Sequence, residues 1–295
     1  MTSAPTTPQL KTAADLHADQ VAYWSGDGGA TWLKGEARYE AALAPLGARA
    51  LAAAAVASGE RVLDIGCGLG ATTRALARAA GPSGSALGVD LSAPMMAEAG
   101  RRAAAEGLAN ARFEAGDVSR RAFDAGAFDL VFSRFGVMFF GDSTAAFAHI
   151  RHALRPGGRL TFLCWRAFKE NGWAFVPFAA AGALLPPLPR PGPDEPGPFS
   201  FADPARIRRV LDGAGFADIA VDAVDGAVDL SSGSLDDAVA QALEMGPASR
   251  ALKDAPDELR ARATAAIRAA LAPHATPAGV ALPAACWLVT ARNPG

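Results

Sequence analysis

One ten-residue stretch, RVLDIGCGLG at residues 61–70, restricts the fold of this chain more than any other. Its first half is a short apolar run bounded by glycine, which is typical of a buried strand in a parallel sheet. Gly66, Gly68 and Gly70 follow at alternate positions, where the backbone can turn sharply and lie against a ligand because no Cβ intervenes. Residues 71–79 then read as a helix. Strand, glycine turn and helix predict a nucleotide-binding corner in an open α/β sheet, at the carboxyl ends of the strands.

Two nucleotide cofactors fit this glycine pattern, and Asp64 discriminates between them. Residues 66–71 also match the dinucleotide pattern G-x-G-x-x-G/A, so the glycines alone leave a nicotinamide-dependent oxidoreductase open. A pyrophosphate is anionic and would be repelled by the Asp64 carboxylate, whereas a cationic sulfonium would not. A strand–helix turn without any ligand is the third alternative, but three alternate glycines behind an acid are costly for such a turn.

Two strings of the sequence resemble the class I S-adenosylmethionine-dependent methyltransferases. The segment from Asp64 to Gly70 matches their glycine motif D/E-x-G-x-G-x-G, and LRPGGRL at residues 154–160 is similar to the turn before their fifth strand. The likeness covers about residues 20–293 and is close to the branch of C-methyltransferases in ubiquinone and menaquinone biosynthesis. It implies a Rossmann-like α/β fold, which is a doubly wound, seven-stranded, mostly parallel sheet with a partly helical cap. The last strand is then antiparallel and lies beside the fifth.

The resemblance also implies an enzyme that transfers a methyl group from S-adenosyl-L-methionine to a carbon, oxygen or nitrogen atom. The acceptor is expected to be a small, largely apolar molecule. A non-catalytic protein that keeps the fold and binds the cofactor stays open as an alternative.

Asp90 is the second acidic residue with an expected role. It ends the predicted second strand, 26 positions beyond Asp64, which is the spacing of one strand–helix–strand unit. A carboxylate there can accept hydrogen bonds from both ribose hydroxyls of an adenosine. The alternative is that Asp90 merely caps the helix that follows Ser92.

Further cofactor contacts follow from the resemblance, which places Met95 against the adenine and the Asp117 carboxylate on its amino group. The expected cofactor contacts are Trp24, Asp64, Gly66, Cys67, Gly68, Gly70, Asp90, Leu91, Met95, Asp117, Val118 and Ser133.

Aromatic and apolar side chains predict where the acceptor binds. The pair Tyr23-Trp24 looks like the amino-terminal lid of bacterial relatives, and residues 133–140 follow the fourth strand, where the transferred methyl should lie. That apolar loop either holds an acceptor or packs under a helix. Arg134 is its one charge and is expected to pair with an acceptor carboxylate, phosphate or enolate. The expected substrate contacts are Tyr23, Arg134, Phe135, Met138, Phe139 and Trp173.

Catalytic and metal-binding residues are less evident. His17 is the best placed of the four histidines to act as a general base. The three cysteines, Cys67, Cys164 and Cys286, are too far apart for a metal site or a disulfide framework. We therefore expect no metal and, by default, a reducing cytoplasmic location.

Charge and hydropathy restrict the partners. The formal net charge of −2 and the pI near 6.1 argue against a nucleic-acid partner, which needs a basic face. Residues 1–10 lack the apolar segment of a signal peptide, and no stretch is apolar enough over the length of a membrane span. We expect a monomer or a homodimer with a small-molecule acceptor.

Composition divides the chain into seven segments. Residues 166–203 are predicted to be a lid loop, because proline density prevents a helix or a central strand. In order, the predicted segments are a disordered tail (1–12), amino-terminal lid helices (13–43), a cofactor-binding core (44–165), the Pro-rich lid loop (166–203), a continuation of the core (204–231), a helical insertion (232–283), and the final strand with the carboxyl terminus (284–295).

Overall fold

The computed structural model describes residues 11–185, 192, 195–231 and 233–295 of the chain. Its strands are β1 (Arg61–Ile65), β2 (Ser85–Asp90), β3 (Ala111–Ala115), β4 (Phe128–Arg134), β5 (Leu154–Trp165), β6 (Ala217–Ser231), β7 (Ala275–Thr276) and β8 (Gly279–Arg292). Its α-helices are α1 (Ala13–Ser25), α2 (Asp27–Ala54), α3 (Ala71–Ala80), α4 (Ala93–Ala105), α5 (Ser143–Ala153), α6 (Gly172–Gly182), α7 (Pro204–Gly213), α8 (Leu235–Glu244), α9 (Pro247–Leu252) and α10 (Asp257–Leu271).

The strands form one sheet with the order β3-β2-β1-β4-β5-β8-β6, and the two-residue β7 pairs with β8 outside this path. Strands β1 to β5 run parallel to their neighbours. Strand β8 lies between β5 and β6 and is antiparallel to both. The predicted seven-stranded, mostly parallel sheet with an antiparallel last strand beside the fifth is therefore confirmed. The strand order reverses between β1 and β4, which is where open α/β sheets bind ligands.

The central strands are covered on both faces, as their apolar runs predict. Val62 and Leu63 of β1 and the side chains of residues 130–132 in β4 are fully buried. On one face, the buried ring of Phe147 in α5 packs with four other phenylalanine rings at centroid distances of 5.6 to 6.4 Å. The sheet is thus a rigid base that positions the loops at its carboxyl edge.

The amino-terminal lid helices extend further than predicted. Helix α2 runs to Ala54 and contains Pro45, and the Gly-rich stretch at its start is helical. A Cβ at Gly28 would lie 2.4 Å from the ring of Tyr23, and one at Gly29 would lie 2.4 Å from the carbonyl oxygen of Trp24. The glycines are therefore needed to let α1 and α2 pack closely.

The predicted loop at residues 166–203 is partly wrong, because residues 172–182 form helix α6 with Pro177 inside it. Trp173 and Ala174 are buried, and the apolar helix packs against α10. Tertiary packing thus outweighs the cost of the proline. Residues 186–191, 193 and 194 of the Pro-rich stretch, like residues 1–10 of the predicted tail, lie outside the described residues. Among the described helices, none is long and apolar enough to cross a membrane.

We expect Phe147→Ala to lower the free energy of unfolding by about 3–5 kcal/mol, because it leaves a cavity in a fully buried aromatic cluster. Urea denaturation monitored by circular dichroism measures this loss. Phe123→Ala, which truncates a half-buried phenylalanine, is the control and should cost clearly less. Equal losses in the two variants would contradict the assignment of the core.

Candidate functional site

A cavity of about 420 Å³ lies at the carboxyl ends of β1, β2 and β4. Helices α1 and α2 contribute to its wall from the amino-terminal part of the chain, and α6, α8 and α9 contribute from the carboxyl-terminal part. The position at the reversal of strand order and the enclosure by helices are typical of a small-molecule site in this class of sheet.

The glycine turn after β1 has the conformation that its sequence predicts. Gly66, Gly68 and Gly70 have φ angles of 64°, 54° and 73°, which other residues adopt only with strain. Gly66 and Gly68 line the cavity. Gly70 instead begins α3 and faces Phe113, whose ring would lie 2.3 Å from an added Cβ. The first two glycines therefore expose backbone to a ligand, and the third allows helix and strand to pack.

Asp64 lies beneath this turn, not in the cavity wall. Its side chain is fully buried, and its Oδ2 accepts hydrogen bonds from the hydroxyls of Thr72 (2.7 Å) and Thr73 (2.6 Å). Its Oδ1 has no partner among the described residues. Burial raises the pKa of Asp64 to about 6, although the two hydroxyls and the charge of Arg134 oppose this rise. A buried carboxylate with one unpaired oxygen favours a cation above the turn.

Asp90 lines the cavity at the end of β2. Its Oδ2 accepts a hydrogen bond from the backbone N–H of Gly68 (3.0 Å), and its Oδ1 accepts one from the backbone N–H of Ser92 (3.1 Å). Burial raises the pKa of Asp90. Because each carboxylate oxygen can accept a second bond, both oxygens remain able to accept ligand hydroxyls. Asp90 bonds the N-cap residue itself and not the second or third residue of α4, so it is not an ordinary helix cap.

Asp117 provides a third carboxylate, just after β3. Its Oδ1 accepts hydrogen bonds from the backbone and hydroxyl of Ser119, and its Oδ2 lies 2.8 Å from Nε2 of His17. The His17–Asp117 contact connects α1 to the edge of the sheet. Asp90 and Asp117 thus give the cavity an acidic end, and the buried Asp64 lies behind it on the next strand of the sheet.

The other end of the cavity is aromatic. Phe135 follows β4 and stacks on Trp165 with 4.0 Å between ring centroids and 10° between planes. Trp165 in turn contacts Trp173 of α6 at 4.9 Å. Phe135 has a φ of 63°, which is a strained conformation for a bulky residue and is found mainly at functional sites. Phe139 contacts the ring of Trp24 at 5.1 Å.

Arg134 also lines the cavity, but its charge already has a partner. Its guanidinium forms two hydrogen bonds with the carboxylate of Glu40 in α2, at 2.8 and 2.5 Å. A Cβ at Gly47 would lie 2.9 Å from Cδ of Arg134, so α2 needs a glycine where the arginine passes. Such a bidentate pair ties α2 to the end of β4.

Most of the residues predicted from the sequence come together in this cavity. Those that line it are His17, Tyr23, Trp24, Gly66, Cys67, Gly68, Asp90, Leu91, Met95, Asp117, Val118, Arg134, Phe135, Met138, Phe139 and Trp173. Asp64, Gly70 and Ser133 were predicted as cofactor contacts but lie behind the wall. The hydroxyl of Ser133 donates to the carbonyl oxygen of Ile65 (2.8 Å) and accepts from the N–H of Gly136 (3.2 Å). These three residues support the turn instead of reaching the cavity.

Several lining residues have no sequence prediction. Trp165 ends the fifth strand, a position that could have indicated it. Met245 and Arg250 come from the predicted helical insertion, in which no sequence pattern singles them out. Within the described residues, no group of three or more His, Cys, Asp or Glu side chains could hold a metal ion. The three cysteines are buried and unpaired.

The chain is similar in sequence to known methyltransferases. Residues 62–158 match the family model described as a methyltransferase domain. The chain is 35% identical over 133 residues to aklanonic acid methyltransferase DauC of a Streptomyces species, an alignment that covers 45% of this chain and 60% of that protein. It is 28% identical to demethylmenaquinone methyltransferase of Staphylococcus saprophyticus, over 59% of this chain and 77% of that protein.

The fold has a counterpart among solved structures. The YcgJ protein of Bacillus subtilis superposes with a TM-score of 0.53 at 18% identity, covering 82% of this chain and 95% of that one. At this identity the likeness establishes the fold alone. The chain spans less than two thirds of the length of the aklanonic acid methyltransferase.

We expect Asp64→Asn to stabilise the protein by about 1–3 kcal/mol above about pH 6, because a neutral amide replaces a buried charge. The pKa of Asp64 is raised by folding, so the penalty of burying its charge develops as pH rises from about 4 through about 6. The advantage of the variant should therefore disappear near pH 4. Thermal unfolding across this pH range measures it, with the exposed Asp222→Asn as control. A variant that is less stable than the parent at neutral pH would contradict the prediction.

Proposed function

We propose, from the premise that residues 62–158 of this chain form a methyltransferase domain, that the protein transfers a methyl group from S-adenosylmethionine to a small, largely apolar acceptor. The family resemblance of the glycine motif is confirmed by that domain and by relatives that are named methyltransferases. Their names give aklanonic acid and demethylmenaquinone as the methyl acceptors of those proteins. The activity and the acceptor of this chain are our inference.

The buried Asp64 carboxylate is the observation that carries this proposal. Its unpaired oxygen lies under the glycine turn, next to the end of the cavity that Asp90 and Asp117 line. A negative charge beneath the turn fits a cofactor with a sulfonium and an ammonium group and disfavours an anionic pyrophosphate. Asp90 does not discriminate, because an acid at the end of the second strand binds the ribose of either class of cofactor. The charge of Asp64 therefore supports a methyltransferase over a nicotinamide-dependent oxidoreductase.

The residues present fit the parts of this cofactor. Asp90 would accept the ribose hydroxyls, since each of its oxygens keeps a lone pair. Leu91, Met95 and Val118 provide apolar contacts for the adenine, with Asp117 near its amino group. The backbone of Gly66 and Gly68 would lie along the amino-acid part.

The cofactor, when bound, supplies both the methyl group and its leaving group. The chain then needs mainly to align the acceptor atom and exclude water, and orientation can contribute about 7–11 kcal/mol. Phe135 lies at the end of β4, where the face of its ring can stabilise a sulfonium by about 0.5–2 kcal/mol. Phe135 has a strained backbone conformation and its ring stacks on Trp165, so the ring is held in place before a ligand enters.

His17 has a structural partner that suggests a role other than that of a base. Its Nε2 contacts Asp117, the carboxylate that we assign to the adenine end. We therefore infer that His17 holds α1 over the cofactor, and that it acts as a base only if α1 moves. Arg134 remains a proposed acceptor contact, although Glu40 shares its charge.

The cysteines and the net charge of the chain bear on its location and its partners. The three thiols are buried and unpaired, which suits a reducing cytoplasmic compartment. The net charge of −2 gives little attraction for nucleic acid. We propose a cytoplasmic monomer or homodimer that acts on a small molecule.

Calorimetry with S-adenosylhomocysteine and NAD⁺ tests the choice of cofactor. We expect saturable binding of S-adenosylhomocysteine and none of NAD⁺. Asp90→Ala removes two charge-assisted hydrogen bonds of about 1.5–3 kcal/mol each, so the affinity should fall about 10²-fold or more. Asp222→Ala, which alters an exposed residue of β6, is the matched control. Binding of NAD⁺ without binding of S-adenosylhomocysteine would refute the proposed function.

A further inference from the structure

Arg250 is a cation at the cavity that forms no ion pair within the described part of the chain. It lies in α9, lines the cavity and is exposed. Within the described residues, no carboxylate lies at ion-pair distance from Arg250, whereas the cavity arginine Arg134 is neutralised by Glu40. Two neighbouring cations, Arg38 and Lys253, are likewise paired, with Glu244 and Asp27. The wall of the cavity therefore presents one arginine that is ready to bind an anion.

The guanidinium of Arg250 is held in place by an aromatic ring. Its central carbon lies 4.9 Å from the centroid of Tyr23. Tyr23 is itself fixed, because its ring contacts Trp24 edge-on at 5.1 Å and packs where a Cβ at Gly28 would lie only 2.4 Å away. A cation–π contact uses the charge but consumes none of the five N–H donors of the guanidinium. These donors remain able to form two parallel bonds to a carboxylate.

The segment that carries Arg250 begins beside the aromatic end of the cavity. A Cβ at Gly246, the residue before α9, would lie 3.3 Å from the ring of Trp173. Trp173 contacts Trp165 with 48° between the ring planes, and Trp165 stacks on Phe135. These three rings line the cavity, and aromatic faces and edges of this kind suit a planar aromatic ligand.

We propose that the methyl acceptor is a planar aromatic carboxylate whose carboxylate binds Arg250 while its ring system lies along Phe135, Trp165 and Trp173. This inference rests on the proposed function and specifies its substrate class. The carboxylate is then an anchor at the cavity wall, and a different atom of the acceptor receives the methyl group. Arg250 acts here as a specificity-determining residue and takes no part in the chemical step.

Two small probes that differ only in charge test this proposal. Calorimetry measures the binding of 2-naphthoate and of neutral 2-naphthamide to the full chain saturated with S-adenosylhomocysteine. We expect 2-naphthoate to bind about tenfold more tightly than the amide, since a hydrogen-bonded charge pair is lost with the amide. In Arg250→Gln this preference should disappear, while the affinities for 2-naphthamide and S-adenosylhomocysteine change less than about twofold. Arg250→Lys should keep part of the preference, because it keeps the charge.

Controls separate the possible failures. Arg262→Gln removes an exposed arginine of α10 outside the cavity and should keep the full preference. If Arg250→Gln weakens S-adenosylhomocysteine and leaves the preference intact, Arg250 binds the carboxylate of the cofactor and the inference is overturned. Equal binding of both probes to the parent protein overturns it as well. Failure of the parent to bind S-adenosylhomocysteine refutes the proposed function instead.

Discussion

The close approach of two turns, after β1 and after β4, is the constraint on which the rest of the site depends. Gly66 and Gly136 meet where a Cβ on either would lie within 3 Å of the other's Cα, at 2.7 and 2.9 Å. Ser133 bonds both turns through one hydroxyl, as donor to Ile65 and acceptor from Gly136. Because the two turns are in contact, the backbone of the glycine turn and the ring of Phe135 line the same cavity.

The glycine turn also lies over a buried charge that destabilises the folded state. Asp64 is buried beneath the glycine turn with one oxygen unpaired, and burial raises its pKa to about 6. A well-packed neutral residue would be more stable there. A destabilising charge such as that of Asp64 is expected beside a ligand cavity when the charge contributes to ligand binding and not to the stability of the fold. The strained φ of Phe135 supports the same interpretation, since strain is concentrated where geometry is needed for function.

The sequence predicts what depends on local patterns. The glycine turn and the position of Asp90 follow from residue patterns and spacing within one strand–helix–strand unit, whereas the doubly wound sheet with its antiparallel last strand is what the family resemblance implies. Arg134 and Glu40 are 94 positions apart, so no local pattern reveals that the arginine is already paired. Arg250 likewise lies far from Tyr23 in the chain. Pro177 is a case in which a local pattern misleads. Proline disfavours a helix interior, yet residues 172–182 form α6 because this helix packs against α10.

Helix α1, which covers the cavity, has weaker contacts with the rest of the molecule than the sheet that forms the base of the cavity. The central strands β1 and β4 beneath are mostly buried, but α1 contains no buried residue. Its contacts with the rest of the molecule include the His17–Asp117 pair and the cation–π contact between Tyr23 and Arg250. Partly exposed contacts of this kind contribute little each, about 0–1 kcal/mol. Because local opening requires only that such contacts break, α1 belongs to the least stable part of the structure. A cofactor that binds at Asp117 and an acceptor that binds at Arg250 would each occupy the cavity beside one of these two contacts of α1. Ligands that bind only when α1 covers the cavity stabilise the closed position of α1 in proportion to their own binding.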